Sequence, residues 1–184
     1  MRILVKPLTQ DNLNCVLLSI YRSRSLEAIL KKWIKGSKTP IESMASWGKA
    51  VSLVAVDEDK NECLGLLLGY TIPVRAVKAK LGDTEIEEYF KPSSEHEVNK
   101  VFTVIHGIYL KPGLDTKRIV AIAKYLMESF IKLSKDMNAE KVYLYLRMKA
   151  EDDTVKRNIE LFENIIKEFG FTLMGVTKTY LKNL

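Results

Sequence analysis

Residues 101–130 read VFTVIHGIYLKPGLDTKRIVAIAKYLMESF, an apolar run, a Pro/Gly/Asp turn and an amphipathic segment. At the passage from turn to amphipathic segment stand Arg118, Ile119, Val120, Ala121, Ile122 and Ala123. The start of a helix presents unpaired backbone N–H groups and the positive end of the helix dipole, a natural seat for a diphosphate. Within the apolar run, His106 has an imidazole whose ordinary pKa suits a proton acceptor near neutral pH. A histidine in a central strand is more often a satisfied structural residue, and that reading stands beside the catalytic one.

Little else in the chain has the spacing of a reactive centre. Cys15 and Cys63 are too few for a disulfide framework and read as small buried residues. Two histidines and two separated cysteines do not make a zinc site, and no metal is expected. The net charge of +6 is spread along the sequence, with Lys31, Lys32, Lys35 and Lys38 as its densest group. A nucleic-acid reader would show a concentrated basic stripe with aromatic residues between, so no nucleic-acid partner is expected. A cofactor bearing several phosphates is compatible with the surplus. The 184 residues, 47% hydrophobic and 28% charged, fit one globular domain spanning 1–184. No apolar run approaches the ~20 residues of a membrane helix. The N-terminal residues do not read as a signal peptide, so a cytoplasmic protein without a membrane partner is expected.

The elements that must position these residues follow from periodicity and punctuation. Arg2–Leu8 alternates like a strand, and Thr9 and Asp11 cap a helix reaching about Arg22, with Leu13, Val16 and Ile20 on one face. A second helical pattern, Ser25–Lys35, stops at Gly36, and Thr39-Pro-Ile-Glu42 opens a short third helix to about Trp47. Ser52–Asp57 and Cys63–Ile72 are strands joined by the polar turn Glu58–Glu62. Residues 73–100 form one long irregular stretch, a length that marks a functional lid or a mobile insertion. Val101–Leu110 is a strand, Thr116 to about Asn138 a long helix, Lys141–Met148 a strand and Val155–Phe169 a helix. Gly170 follows as a left-handed cap with Phe171 packing back, and Thr172–Leu181 is a last strand. The fold class is α/β, a mixed central sheet of about six or seven strands flanked by helices.

In this order the residues resemble the Gcn5-related N-acetyltransferase (GNAT) superfamily. Arg118-Ile-Val-Ala121-Ile-Ala123 is similar to its R/Q-x-x-G-x-G/A loop, and Ile108-Tyr-Leu110-Lys-Pro112 to the l-x-V-x-P strand end before it. The segment SLVAVDEDKNECLGLLLGY resembles the family's hairpin, including Gly65 after the turn. Glu168-Phe-Gly170-Phe171 and a strand bearing Tyr180 resemble its closing elements. The resemblance implies acetyl-CoA or CoA as cofactor. The backbone of Ile108, Tyr109 and Leu110 would pair with the pantetheine arm and polarise the thioester carbonyl. Arg118, Ile119, Val120, Ala121, Ile122 and Ala123 would cradle the pyrophosphate. Asn158, one residue out of phase, would stand for an asparagine that touches pantetheine. The implied reaction is attack of a neutral primary amine, of a small molecule or a protein, on acetyl-CoA. One group takes the amine's proton and another protonates the thiolate. A homodimer is left open.

Several positions depart from the family's pattern. Ala121 replaces a glycine, so its methyl group is expected to weaken the approach of a phosphate. Residues Pro112–Lys117 make a longer turn. Ile166 stands where the family often has a tyrosine acid, and Val101–Leu110 contains no carboxylate base, leaving His106 as the catalytic candidate. The hairpin and Tyr21-Arg-Ser-Arg-Ser-Leu26 also resemble the arylalkylamine N-acetyltransferase-like branch, but Arg24 falls where that branch has its glutamate base. Two functions therefore stand side by side: an acyl-CoA-dependent N-acyltransferase, or a degenerate relative that binds CoA as a sensor or serves as a scaffold.

Overall fold

Continuous apolar runs make the central strands of the sheet, buried on both faces, and residue periodicity near 3.6 makes the helices that cover it. The computed structural model describes residues 2–20, 50–73, 101–145, 153–173 and 179–183. In chain order they form β1 (Ile3–Pro7), α1 (Gln10–Ser19), β2 (Ala50–Asp57), β3 (Glu62–Pro73) and β4 (Val101–Leu110). Then come α2 (Thr116–Asp136), β5 (Ala139–Tyr145), α3 (Asp153–Glu168), β6 (Thr172–Leu173) and β7 (Thr179–Asn183). One seven-stranded sheet contains all of these strands in the order β1-β2-β3-β4-β5-β7-β6. Its pairs are antiparallel except β4 with β5, which run parallel.

Helices lie on both faces. Leu13, Val16 and Ile20 of the α1 region pack with Leu66, Leu68, Phe102, Val104 and Tyr143 on one side. Tyr143 meets Phe102 edge-on, with ring centroids 5.4 Å apart. On the other side Ile122, Leu126, Met127 and Phe130 of α2 pack with Leu67, Ile105, Val142 and Leu144, and Ile166 of α3 joins them. Two glycines of β3 let α2 come this close. A Cβ on Gly65 would lie 2.8 Å from the Ile122 side chain, and one on Gly69 2.4 Å from the Phe130 ring. Thr103 of β4 brings a hydroxyl into the same interface, where it donates to Ser134 Oγ at 2.8 Å. Ser134 in turn donates to the Phe130 carbonyl at 2.8 Å, so neither buried hydroxyl is left unpaired.

Local chemistry sets the helix ends. The Thr9 N–H donates to Asn12 Oδ1 at 2.9 Å at the start of α1. At the end of α3, Gly170 is left-handed with φ 74°. Its N–H donates to the Lys167 carbonyl, and that of Phe171 to the Ile166 carbonyl, which is the paired cap expected at this glycine.

Three expectations are corrected. The final stretch Thr172–Leu181 is two strands rather than one, because the chain reverses and β7 inserts between β5 and β6, with Thr172 opposite Leu181. Strand β5 starts earlier, at Ala139, directly after the left-handed Asn138 that ends α2. Cys15 and Cys63 are not isolated thiols. They form a disulfide with Cα atoms 5.7 Å apart, joining α1 to the start of β3. The two helical patterns between Ser25 and Trp47, the Lys31–Lys38 group, Arg24 and residues 74–100 lie outside the described residues. Among the described residues no helix is long and apolar enough to cross a membrane.

Candidate functional site

Strand β4 changes character halfway along. From Val101 to Ile105 it pairs with β3 on one side and β5 on the other, ending at Ile105 opposite Leu144. From Gly107 to Leu110 its described pairing is with β3 only. Burial follows the same division: Phe102–Ile105 are buried, whereas residues 106–110 are all half-buried. The edge of β4 that faced β5 thus continues without a described strand partner and runs toward the N-terminus of α2.

The division coincides with a β-bulge. Leu68 pairs with Gly107 and the next residue, Gly69, with Ile105, so His106 is the extra residue. A bulge shifts the alternation of side chains by one place. Before it, Phe102 and Val104 point to the α1 face; after it, Tyr109 packs on that face. Ile105, Ile108 and Leu110 all belong to the α2 face. Gly107 lies beneath the tyrosine: a Cβ there would sit 2.9 Å from Tyr109 Cε2 and 3.1 Å from its hydroxyl oxygen. Without the bulge Tyr109 would face α2.

Beyond Leu110 the chain is held firmly before it enters the helix. The Lys111 N–H donates to the Leu64 carbonyl at 2.9 Å, and the Lys111 ammonium pairs with Glu62. Gly113 takes a left-handed turn at φ 81°. Asp115 then caps α2: its Oδ1 accepts from the Arg118 N–H at 2.9 Å, while its Oδ2 lies 3.3 Å from Arg118 Nε.

That cap fixes which backbone donors an anion could reach. The first ladder bond of α2 is from the Ile119 N–H to the Asp115 carbonyl, 2.9 Å. The N–H groups of Val120, Ala121, Ile122 and Ala123 therefore point at carbonyls four residues back, within the helix. Groups ahead of the ladder belong to Thr116, Lys117 and Arg118, the last already accepted by Asp115. Ala123 and Ile122 are buried against the sheet, whereas Arg118 and Lys117 are exposed. An anion arriving here meets Lys117 and Arg118 together with a carboxylate at the same helix end.

The structure brings His106, Ile108, Tyr109 and Leu110 together on one half-strand and sets Arg118 at the helix start beyond it. Asn158 lies in α3, where only its backbone is described. Ile166 is fully buried in the α2-side core, so that helix position turns toward the sheet. Two features of the site escaped the sequence reading. Gly107, an isolated glycine in an apolar run, was a signal for the bulge, and Asp115, three residues before Arg118, for the carboxylate cap.

No protein-family model matches the chain, and no curated protein matches it by sequence. Solved structures do match in fold. The NAA60 protein of Arabidopsis thaliana, solved in complex with acetyl-CoA, is 17% identical with a TM-score of 0.58. The match covers 98% of this chain and 96% of that one. A polyamine N-acetyltransferase of Drosophila melanogaster is 10% identical over 100% of both chains, TM-score 0.58. A mosquito arylalkylamine N-acetyltransferase-like 5b is 13% identical over 100% of both chains, TM-score 0.57. With the strand order, the one-sided half of β4 and the capped helix that follows it, these likenesses show that the chain has the fold of the Gcn5-related N-acetyltransferase superfamily.

Proposed function

We propose that the protein binds acetyl-CoA or a related acyl-CoA and transfers the acyl group to a primary amine of a small molecule or protein. The observation that carries this reading is the half-strand His106–Leu110, whose pairing among the described residues is with β3 and which leads through a short turn into the N-terminus of α2. An extended pantetheine arm fits such an edge because its amides can pair with strand backbone in the manner of an added strand. Its diphosphate then meets Thr116, Lys117 and Arg118 at the helix end. Ile108 and Leu110 supply apolar surface beside the arm, from the α2 face.

In the transfer, the amine nitrogen attacks the thioester carbonyl carbon. A C–N bond forms, the C–S bond breaks, and its electron pair leaves on sulfur. His106, at the bulge where the edge opens, is the group assigned to accept the amine's proton. Backbone N–H groups of the half-strand stabilise the developing oxyanion.

Calorimetric titration with acetyl-CoA, followed by a thiol-release assay on a panel of amines, tests the reading. Saturable binding with turnover is the expected result. Absence of binding at millimolar acetyl-CoA overturns it. A second reading, a CoA-binding relative without catalysis, is favoured by the Asp115 carboxylate at the helix end and by Ile166 facing the core. Binding without turnover on any amine would select that one.

A further inference from the structure

The Cys15–Cys63 bond joins the sheet where β3 holds the turn ahead of α2. Along the β2–β3 pair Ala55 faces Gly65 and Val56 faces Cys63, so Leu64 is an extra residue in the register. The Leu64 carbonyl accepts from the Lys111 N–H at 2.9 Å, and Glu62 pairs with the Lys111 ammonium. Both of these partners of Lys111 flank Cys63, which is fully buried and tied to α1. Beyond Lys111 the chain turns left-handed at Gly113, and Asp115 then caps α2 at the Arg118 N–H. A restraint on Cys63 is therefore a restraint on the turn that sets the α2 N-terminus. We propose that the Cys15–Cys63 bond is a thiol-sensitive latch: a small-molecule thiol opens it, the clamp on Lys111 loosens, and acyl-CoA binds less tightly at the helix end. The effect on acyl-CoA rests on the acyl-transfer reading above; the loosening of the clamp does not.

Three features favour a latch over a permanent staple. With a cluster of buried residues on each face of its sheet, a chain of 184 residues needs no covalent staple to fold. Helix α1 keeps its own anchors, Leu13 and Val16, both fully buried, so opening the bond leaves the helix seated. Cys15 is only half-buried, so an incoming thiolate reaches its sulfur and not that of Cys63. The thiolate attacks Cys15 Sγ, the bond to Cys63 breaks, and Cys63 leaves as a thiolate that takes a proton. A second thiol attacks the mixed disulfide on Cys15. Two protein thiols and one small disulfide result, the two electrons having come from the two small thiols. A small-molecule disulfide runs the same steps backward.

The test equilibrates the whole protein in reduced or oxidised glutathione. After unfolding, a thiol reagent should count two thiols in the first case and none in the second. A bond that survives millimolar reduced glutathione is a permanent staple and overturns the proposal. In the reduced form the Lys111 amide should exchange its hydrogen about fivefold faster and the calorimetric Kd for acetyl-CoA should rise by a similar factor, the low end of coupling between sites. The amides of Val104 and Ile105 should be unchanged. Equal Lys111 rates in the two forms, or rates raised as much at Val104 and Ile105, overturn the latch, as does a loosened clamp with an unchanged Kd. Cys15→Ser, which removes the bond and leaves the buried sulfur in place, should match the reduced form and ignore glutathione; a match to the oxidised form overturns the proposal too. If neither form binds acetyl-CoA, the acyl-transfer reading falls, and the Lys111 exchange rates alone decide the latch.

Discussion

The two halves of β4 are built from similar residues and do different things. Val101–Ile105 and His106–Leu110 are both mainly apolar, and each pairs with β3 throughout except at the bulge. Among the described residues only the first half also pairs with β5, and there Phe102–Ile105 are buried between the two cores. The contrast teaches that, among the described residues, the candidate edge differs from the core half in its strand partners rather than in polar side chains. The bulge at His106 marks the boundary and reassigns the faces, so that one strand supplies core on one stretch and a candidate site on the next.

Matched substitutions test that contrast most directly. Ile105→Ala, in the sealed half, should destabilise the protein by about 2–5 kcal/mol in urea unfolding. Ile108→Ala, half-buried in the open half, should lose roughly half as much stability, yet weaken acetyl-CoA binding measured by calorimetry. Equal stability losses with no change in binding would remove the distinction between the halves. Thr103→Val should destabilise by about 1 kcal/mol in the same unfolding experiment, because Ser134 then loses its donor inside the interface. Acetyl-CoA affinity should be untouched, since the change lies in the sealed half.

The smallest effect concerns the helix end. Asp115→Asn keeps a capping oxygen but removes a negative charge from the helix end proposed to receive the diphosphate. Acetyl-CoA should bind about two- to fivefold more tightly, from a charge effect of about 0.3–1 kcal/mol at a helix terminus. Because exposed charges are screened, the gain should shrink at high salt. A gain that persists unchanged at high salt would mean Asp115 acts through geometry instead.

Much of this architecture could be read from residue order. Val101–Leu110 and the start of α2 at Thr116 follow from an apolar run, a Pro-Gly turn and an amphipathic stripe, all local signals. The left-handed cap at Gly170 is equally local. What was not legible depends on neighbours far away in the chain. The bulge is defined by which β3 residue faces which β4 residue, and so is the side to which Tyr109 turns. Arg118 and Ala121 looked like members of a phosphate loop. The Asp115 cap starts the helical ladder at Ile119, so the donors of Ala121 and Ala123 are spent inside the helix. The division of the last stretch into β6 and β7 likewise depends on pairing, with Thr172 opposite Leu181.

The bond between Cys15 and Cys63 has a consequence for the covalent map of the chain. It closes residues 15–63 into a ring that contains β2 and everything between α1 and that strand. A single protease cut at any peptide bond between residues 21 and 49 therefore opens the ring without dividing the molecule. Such a nicked protein would run as one band without reductant and as two with it. Reduction is what would free the N-terminal strand and helix from the rest of the chain.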